Sequence, residues 1–415
     1  MAQIHAFKGY RPGKQNVKLV ASRPYDVLNS SEAREEAKDN PWSFLHVVKP
    51  EIDLPVETNL YSDTVYEKGR ENLEKLIAAG TFVQDEKEML YIYGQTMFGK
   101  TQYGIVGCAA VEDYLNDVIR KHELTRPDKE EDRKNHIRVT NFNAEPVFFA
   151  YPDHVELDAI VQRVVSGEAE YDFTTDDGVG HHFWLMPESK DIDRVIELFD
   201  REIPFTYVAD GHHRTAAAAL VGQERKELHA DHRGHEEYNF FLAVHFPASQ
   251  LTIIDYNRVV KDLNGMGASA FLEELNEGFL IERKGRSSYK PVGLHNFGMY
   301  LEGNWYSLTA RPGTYDDDDP IGCLDVTVLS EQVLGPLLNI TDLRKSKRID
   351  FVGGIRGLEA LSRRVDSGEM AVAFALYPVT MKQLMAIADN GMIMPPKTTW
   401  FEPKLRSGLV IHSLD

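Results

Sequence analysis

Short apolar runs and stretches of helical spacing alternate along the whole chain, and glycine, proline or polar clusters separate them. Apolar residues that recur every three or four positions predict helices near 31–40, 61–80, 112–122, 157–166, 191–200, 213–222, 268–277, 326–338, 355–367 and 380–390. Runs rich in β-branched and aromatic residues predict strands over 17–22, 43–48, 89–97, 101–111, 146–152, 181–187, 205–210, 238–246, 251–260, 372–379 and 409–414. Because helices and strands are mixed throughout, the predicted class is α+β, or mixed α/β.

A length of 415 residues suggests two or three domains, or one elaborate one. The pattern changes at Asn264–Gly267, which places the boundary near 255–265. We therefore predict an N-terminal α+β region over 1–260 and a C-terminal α+β region over 261–415. The second region is expected to pack against the first and to close its site.

The overall charge argues against one class of function, general nucleic-acid binding. Lys and Arg number 46 against 65 Asp and Glu, a net charge of −19, so the chain is a poor general binder of nucleic acid.

No apolar run approaches the roughly 18–20 residues that span a bilayer, and the N-terminus lacks the apolar core of a signal peptide. Two cysteines, Cys108 and Cys323, do not make a secreted disulfide scaffold. We predict a cytoplasmic protein with a small-molecule partner and with neither nucleic acid nor a membrane as partner; the oligomeric state is left open.

Residues 94–101 match the P-loop pattern G-x-x-x-x-G-K-[ST] letter by letter. A P-loop works because a helix follows it and points its N-terminal amides at the phosphates. The residues that follow here, Gln102–Val111, contain two glycines and alternate in polarity, which favours a strand. We therefore interpret the segment as a hairpin turn with Lys100 at its tip.

The sharpest candidate site is DGHHR (210–214), between the predicted strand 205–210 and an alanine-rich predicted helix. A strand, a glycine turn and a helix start together aim backbone N–H groups at an anion, and Gly211 permits the turn. Arg214 can hold two phosphate oxygens, while His212 and His213 can donate to phosphate or move protons. The alternative is that Asp210 only caps the helix and the histidines are packing residues.

A second constellation is KHELTR (121–126). Lys121, His122 and Arg126 could neutralise a polyphosphate. Glu123 would stay ionised among these cations, so it could act as a general base or a metal ligand. A solvated helix with ion pairs three and four residues apart explains the same segment equally well.

Two further segments display charged residues on turns or loops. Three prolines stiffen PPKTTWFEPK (395–404), a loop that carries Lys397 and Lys404; a tight buttressing turn is the alternative reading. Asp26 follows the 17–22 run in a turn, where it could bind a substrate amine, a metal or the turn backbone. Arg258 lies at a strand end and is a candidate for the edge of a site.

Basic residues are concentrated in these segments and in the first 25 residues of an otherwise acidic chain. Basic residues precede the first acidic residue, Asp26, and others lie within 120–138 and near the C-terminus. We predict that these segments converge with Arg214 to make one positive anion site. The alternative is that each is a solvated face.

Six stretches together carry a resemblance to a known family: RPYDV (23–27), NPWSFLHVVKPEIDLP (40–55), KHELTRPDKEEDR (121–133), ADGHHRTAAA (209–218), YNRVV (256–260) and PPKTTWFEPKLRSGLV (395–410). The chain resembles the bacterial and archaeal family numbered 1015 among domains of unknown function. Its DGHHR segment also resembles the strand–G-x-x-R–helix element of the ParB/sulfiredoxin-like superfamily, whose members place nucleotide phosphates on it. The resemblance implies a mixed-sheet α/β core with this element and an additional α+β C-terminal part.

The departures from that superfamily narrow the expected activity. Sulfiredoxins carry a cysteine before the His-Arg pair, where this chain has Gly211 and His212. Partition proteins bring a helix-turn-helix and a basic DNA-binding surface, which an acidic chain without such a motif does not offer. The free serine kinases, which use ADP or ATP, remain as the nearest expectation.

The resemblance therefore implies a small-molecule phosphotransferase that acts on a hydroxyl of an amino-acid-like substrate, with ATP or ADP and Mg²⁺ as cofactors. In this hypothesis Glu123 is the base, and His212, His213 and Arg214 hold the phosphates. Cofactor contacts are assigned to Asp210, Gly211, Lys121, His122, Arg126, Lys397 and Lys404. Substrate contacts are assigned to Asp26 and Arg258, and no resident metal centre is assigned. The alternatives are a nucleotide-binding regulator without turnover and a phosphate-ester hydrolase that uses the two histidines.

Overall fold

A computed structural model describes residues 1–415, which form two compact units: Met1–Leu251 together with Pro403–Asp415, and Thr252–Glu402. Helices and sheets occur together in both units, so the predicted α+β class with a mixed sheet is confirmed. The assignment of domains to 1–260 and 261–415 stays a prediction. No helix is long and apolar enough to cross a membrane.

A nine-stranded mixed sheet forms the centre of the first unit. The strands of this unit, up to residue 251, are β1 Ile4–His5, β2 Tyr10–Pro12, β3 Phe82–Gln84, β4 Leu90–Met97, β5 Lys100–Ala110, β6 Ile119–Arg120, β7 Phe142–Asn143, β8 Val147–Tyr151, β9 Tyr171–Thr174, β10 Gly180–Met186, β11 Thr206–Asp210 and β12 Phe240–Pro247. The order across the sheet is β6-β11-β8-β12-β5-β4-β10-β9, and β1 pairs with β5. The pairs β6–β11 and β8–β12 are parallel, and the other pairs are antiparallel.

The helices of the first unit cover the sheet and the N-terminal segments. They are α1 Val17–Val20, α2 Ser30–Glu36, α3 Leu45–Val48, α4 Asp63–Ala78, α5 Val111–Leu115, α6 Pro127–Thr140, α7 Val155–Val165, α8 Ser189–Glu202 and α9 His212–Leu228. Ala217 and Ala219 of α9 are fully buried with Phe149 of β8 and Phe241 of β12 in one apolar cluster. Since alanine side chains are short, α9 lies close to the sheet, and its first turn is fixed at the end of β11.

The second unit is built on a six-stranded antiparallel sheet. Its strands are β13 Tyr256–Val260, β14 Phe279–Gly285, β15 Asn296–Leu301, β16 Asn304–Ala310, β17 Ile349–Gly353 and β18 Val372–Ala375, in the order β14-β16-β15-β18-β13-β17. Its helices are α10 Ala268–Gly278, α11 Asp325–Leu329, α12 Glu359–Asp366 and α13 Met381–Asp389, and a turn of π-helix covers Ser330–Leu334. Trp305, Leu361 and Ala373 belong to its apolar core.

The last thirteen residues return to the first unit, where strand β19 (His412–Ser413) pairs with β7. Arg406 anchors this return: it is 7% exposed, and its Nε donates to His181 Nε2 at 3.3 Å. Its Nη2 donates to Thr175 Oγ1 at 3.2 Å and to the Asp177 carboxylate. This anchoring fixes the position of Lys404, two residues earlier.

The segment that matches the P-loop pattern is a hairpin turn, as the alternation predicts. Strand β4 ends at Met97 and β5 begins at Lys100, so that the turn consists of Phe98 and Gly99, both with positive φ (51° and 76°). Two left-handed residues are the geometry of a tight two-residue hairpin. No helix follows Lys100, and the phosphate cradle of a P-loop is therefore absent.

Some predicted elements are wrong: two are short apolar runs, and one is a helix that was predicted too long. The 17–22 run contains the helix α1, in which Val17 and Val20 are buried three residues apart. The 43–48 run contains α3, where nearly every residue is buried and no periodicity is visible. The helix predicted over 112–122 ends at Leu115 because Asp117 adopts a left-handed conformation before β6.

We expect Arg406→Leu to lower the free energy of unfolding of the first unit by about 3 kcal/mol, because it removes the hydrogen bonds of a buried guanidinium to His181, Thr175 and the half-exposed Asp177. Arg201→Leu is the matched control, because Arg201 is 71% exposed and pairs with Glu197 on the surface of α8. Urea unfolding measures both variants. Equal losses in the two variants would contradict the anchoring role of Arg406.

Candidate functional site

The DGHHR segment forms a sharp turn between β11 and α9. Asp210 ends the strand, Gly211 lies in the left-handed region with φ 90° and ψ 36°, and His212 begins the helix. A Cβ atom at position 211 would lie 3.1 Å from the Arg214 guanidinium carbon as well as in a strained backbone conformation. The turn therefore requires glycine.

Two cations share the carboxylate at the end of β11. Lys404 Nζ donates to Asp210 Oδ1 at 3.0 Å, and Arg214 Nη2 donates to Oδ2 at 3.2 Å. Arg214 is 6% exposed, and its Nη1 donates to the Pro146 carbonyl at 2.6 Å. Burial alone would raise the pKa of Asp210, but Lys404 and Arg214 outweigh it and lower that pKa. Through these two hydrogen bonds Arg214 fixes the position of the turn.

Two buried histidine rings stand next to this turn. The rings of His122 and His212 meet edge to face with centroids 4.5 Å apart. Burial lowers the pKa of His122 to about 4 and that of His212 well below its usual value, so both rings are neutral near pH 7. Glu123 places a carboxylate oxygen 4.0 Å from His212 Nδ1, and its side chain is 40% exposed.

The second histidine of the motif binds the neighbouring loop. His213 Nε2 accepts a hydrogen bond from the main-chain N–H of Arg126 at 3.0 Å. The proton of this ring therefore resides on Nδ1, since burial lowers its pKa and favours the neutral form. The Arg126 side chain is 62% exposed and forms a bidentate pair with Asp128.

A buried polar layer supports the turn from the side of α6. Glu145 accepts hydrogen bonds from the Tyr25 N–H and the Ser407 hydroxyl, both at 3.0 Å, and Arg133 lies 4.1 Å above the Tyr25 ring. Glu145, Arg133 and Arg214 also line a cavity of about 30 Å³, room for one or two waters. Glu145 is not among the predicted site residues, because a single acidic residue before an apolar strand has no distinguishing feature in the local sequence.

The predicted site residues are only partly brought together. Asp210, Gly211, His212, His213, Arg214, His122, Glu123 and Lys404 lie at the turn and its neighbours. Asp26 is exposed on a short 3₁₀ turn (Tyr25–Val27), and its charge helps to raise the pKa of Arg214, which burial alone would lower.

The other predicted residues are engaged elsewhere. Lys121 pairs with Asp117 at 2.5 Å and lies against the Tyr114 ring. Lys397 and Arg258 belong to the second unit, where Arg258 donates to the Lys397 carbonyl at 2.9 Å. Their assignment to cofactor and substrate stays a prediction.

A family model described as "Protein of unknown function (DUF1015)" matches residues 4–327, which is most of the chain. The chain belongs to the DUF1015 family. This confirms the resemblance found in the six sequence stretches. Among curated proteins no match is found.

Several solved structures are similar to this DUF1015 chain at low identity. A free serine kinase variant in complex with AMP is 13% identical with a TM-score of 0.37, covering 78% of this chain and 92% of its own. A conserved hypothetical protein from Pyrococcus furiosus is 14% identical (TM-score 0.36; 74% and 95% covered). SbnI with a C-terminal truncation, from Staphylococcus aureus, is 12% identical (TM-score 0.38; 74% and 87% covered). At these values the likeness carries no argument about activity.

We expect the buried ring of His122 to make the protein acid-labile. Its pKa is lowered from 6.5 to about 4, so only the unfolded chain takes up this proton between those pH values. Its contribution to stability is complete above about pH 6.5 and is lost as the pH falls toward 4. The free energy of urea unfolding should therefore fall less steeply with acidification in His122→Asn than in the wild type.

The exposed His235 provides the control, and His235→Asn should keep the wild-type pH dependence. If His122→Asn shows the same slope as the wild type, the ring is not held neutral by its surroundings.

Proposed function

We propose that the first unit binds the phosphate groups of a nucleotide at Asp210–Arg214 and transfers a phosphoryl group to a hydroxyl of a small, amino-acid-like metabolite. The observation that carries the proposal is the start of α9, where the left-handed Gly211 joins β11 directly to a helix of 17 residues. The N–H groups of the first helical turn lack partners within the helix, and the helix dipole adds partial positive charge there. A phosphate group suits such a helix start.

The histidines support phosphate binding as neutral donors. His213 carries its proton on Nδ1, because Nε2 accepts from the backbone, and this N–H can donate to a phosphate oxygen. His212 Nε2 is a buried polar atom without a hydrogen-bond partner, an arrangement that costs free energy in a folded protein. A ligand group that reaches this nitrogen would remove that cost.

Glu123 is the proposed general base. It is partly exposed, lies at the loop beside the phosphate-binding turn, and has His212 Nδ1 at 4.0 Å. In the transfer step the acceptor hydroxyl oxygen bonds to the terminal phosphorus, its proton passes to Glu123, and the bond from phosphorus to the nucleotide oxygen breaks. The chain thus supplies positioning and a proton acceptor.

Magnesium would enter this site together with the nucleotide. No group of three or more His, Cys, Asp or Glu side chains is arranged to hold a metal ion. Mg²⁺ in nucleotide sites commonly keeps several waters and takes one or two carboxylates besides the phosphates. Asp210 is held by two cations, so the exposed Asp26 is the better placed carboxylate for the metal or for a substrate ammonium.

We expect Lys404→Ala to weaken binding of ATP or ADP by about tenfold, because Asp210 would lose one of its two cations and its negative charge beside the turn would repel the phosphates. Isothermal titration calorimetry measures the affinity, and the unfolding temperature reports whether the variant is folded. Lys100→Ala is the matched control, since this lysine is part of the P-loop sequence pattern but lies in the β4–β5 hairpin. The nucleotide affinity of this variant should equal that of the wild type. If Lys100→Ala lost nucleotide affinity and Lys404→Ala kept it, the nucleotide would bind at the hairpin and the proposal would be overturned.

We expect Glu123→Gln to keep nucleotide binding and to slow turnover by about 10²- to 10⁴-fold, the usual contribution of a general base. The assay incubates the protein with ATP or ADP, Mg²⁺ and pooled hydroxyl metabolites, and mass spectrometry detects phosphorylated products. Glu131→Gln, which alters a carboxylate paired with Arg138 on α6, should turn over like the wild type.

The same assay separates the other two functions. Nucleotide binding without any phosphorylated product would indicate a regulator. Release of free phosphate from esters without an acceptor would indicate a hydrolase.

A further inference from the structure

Arg258, on β13 of the second unit, is a buried arginine that no carboxylate neutralises. It is 1% exposed. Its hydrogen bonds go to neutral main-chain carbonyls, those of Tyr256 and, at 2.9 Å, of Lys397. Burial lowers its pKa to about 10, and only Tyr256 acts against this. Buried charges are normally paired with a charge of opposite sign, because desolvation is costly. An anion near this guanidinium would therefore stabilise the folded protein.

The loop that Arg258 holds presents a second cation in a strained conformation. Lys397 has φ 61°, a left-handed conformation that is unfavourable for a lysine. Pro395 and Pro396 precede it, and the Thr398 hydroxyl donates to the Pro395 carbonyl at 2.6 Å. The lysine side chain itself is exposed. Because glycine or asparagine would fit this backbone better, lysine at this position is explained by its charge.

Aromatic rings surround the two cations. The Arg258 guanidinium lies 5.4 Å from the centroid of Phe351, and Lys397 Nζ lies 5.7 Å from that of Tyr256. Tyr256 in turn meets Trp400 edge to face at 4.9 Å. Around the buried Arg258, protein in place of water reduces dielectric screening, which strengthens its attraction for an anion.

We propose that the Lys397 loop of the second unit is a binding site for a phosphate-type anion, in which Lys397 contacts the ligand and Arg258 positions the loop. Lys397 donates charge-assisted hydrogen bonds to the anion oxygens. Arg258 keeps the loop in its strained conformation through the Lys397 carbonyl, and its own charge adds to the attraction. The proposal goes beyond nucleotide binding at Asp210–Arg214 and does not depend on it.

The test is a titration of the full-length protein with inorganic pyrophosphate, followed by tryptophan fluorescence. Trp400 lies in the same loop as Lys397, and Trp400→Phe identifies its part of the signal among the four tryptophans of the chain. We expect a saturable change that disappears in Trp400→Phe. Because the reporter belongs to the second unit, a failure of the proposed phosphotransfer in the first unit would leave this result intact.

The decisive variant is Lys397→Gly, which removes the charge and relieves the backbone strain. It should raise the unfolding temperature or leave it unchanged, and weaken pyrophosphate binding by about tenfold. Lys397→Arg should retain binding, and Lys382→Ala, at another exposed lysine of the second unit, should behave as the wild type.

Two results would overturn the proposal. One is a wild-type titration without a saturable, Trp400-dependent change. The other is an unchanged affinity in a folded Lys397→Gly protein, which would make Lys397 a purely structural residue.

Discussion

The partly buried carboxylate of Asp210, shared between Arg214 and Lys404, forms the interaction on which the rest of the candidate site depends. Lys404 is 194 residues away in sequence, so this ion pair joins the strand–helix turn to the returning C-terminal segment. A buried ion costs free energy unless its partners replace water. Because each oxygen of Asp210 has its own cation, the carboxylate stays ionised, and it fixes Gly211 and the first turn of α9 in one geometry.

In the proposed function, the attraction of this site for an anion comes from backbone orientation more than from an excess of cations. Most basic residues of the predicted islands pair with nearby carboxylates: Arg23 with Glu36, Arg126 with Asp128, and Arg11 with Asp85 and Glu170. Of these islands, Arg214 and Lys404 meet at the turn, and both are offset there by Asp210. What remains for an anion is the start of α9 together with neutral histidine donors. Such donors bind phosphate without the repulsion that a surplus of protonated histidines would impose on the neighbouring arginine and lysine.

Residues close together in the sequence predict the turn at 210–214, but they do not predict the distant residues that hold it in place. The alternation after Gly99 indicated a strand where a P-loop needs a helix, and Asn29 with Glu32 forms a capping box at the start of α2. These features depend on residues within a few positions of each other. The strand predictions at 17–22 and 43–48 were wrong because short buried helices and short buried strands have the same apolar composition. Glu145 and the anchoring by Arg406 follow from tertiary contacts across more than 100 residues, and no periodicity in one chain encodes such pairs.

The two buried arginines of the candidate sites differ in one respect that bears on ligand binding. Arg214 has a carboxylate at 3.2 Å, so its charge is compensated inside the protein and its hydrogen bonds serve to hold a turn. Arg258 has carbonyl partners alone, and its charge is therefore stabilised only by dipoles and rings. In the first case the charge of the arginine is already compensated, and the affinity of a ligand must come from the N–H groups and the histidines at the helix start. In the second case an anion would supply the missing counter-charge, and part of its binding free energy would come from relief of a cost already present in the folded protein.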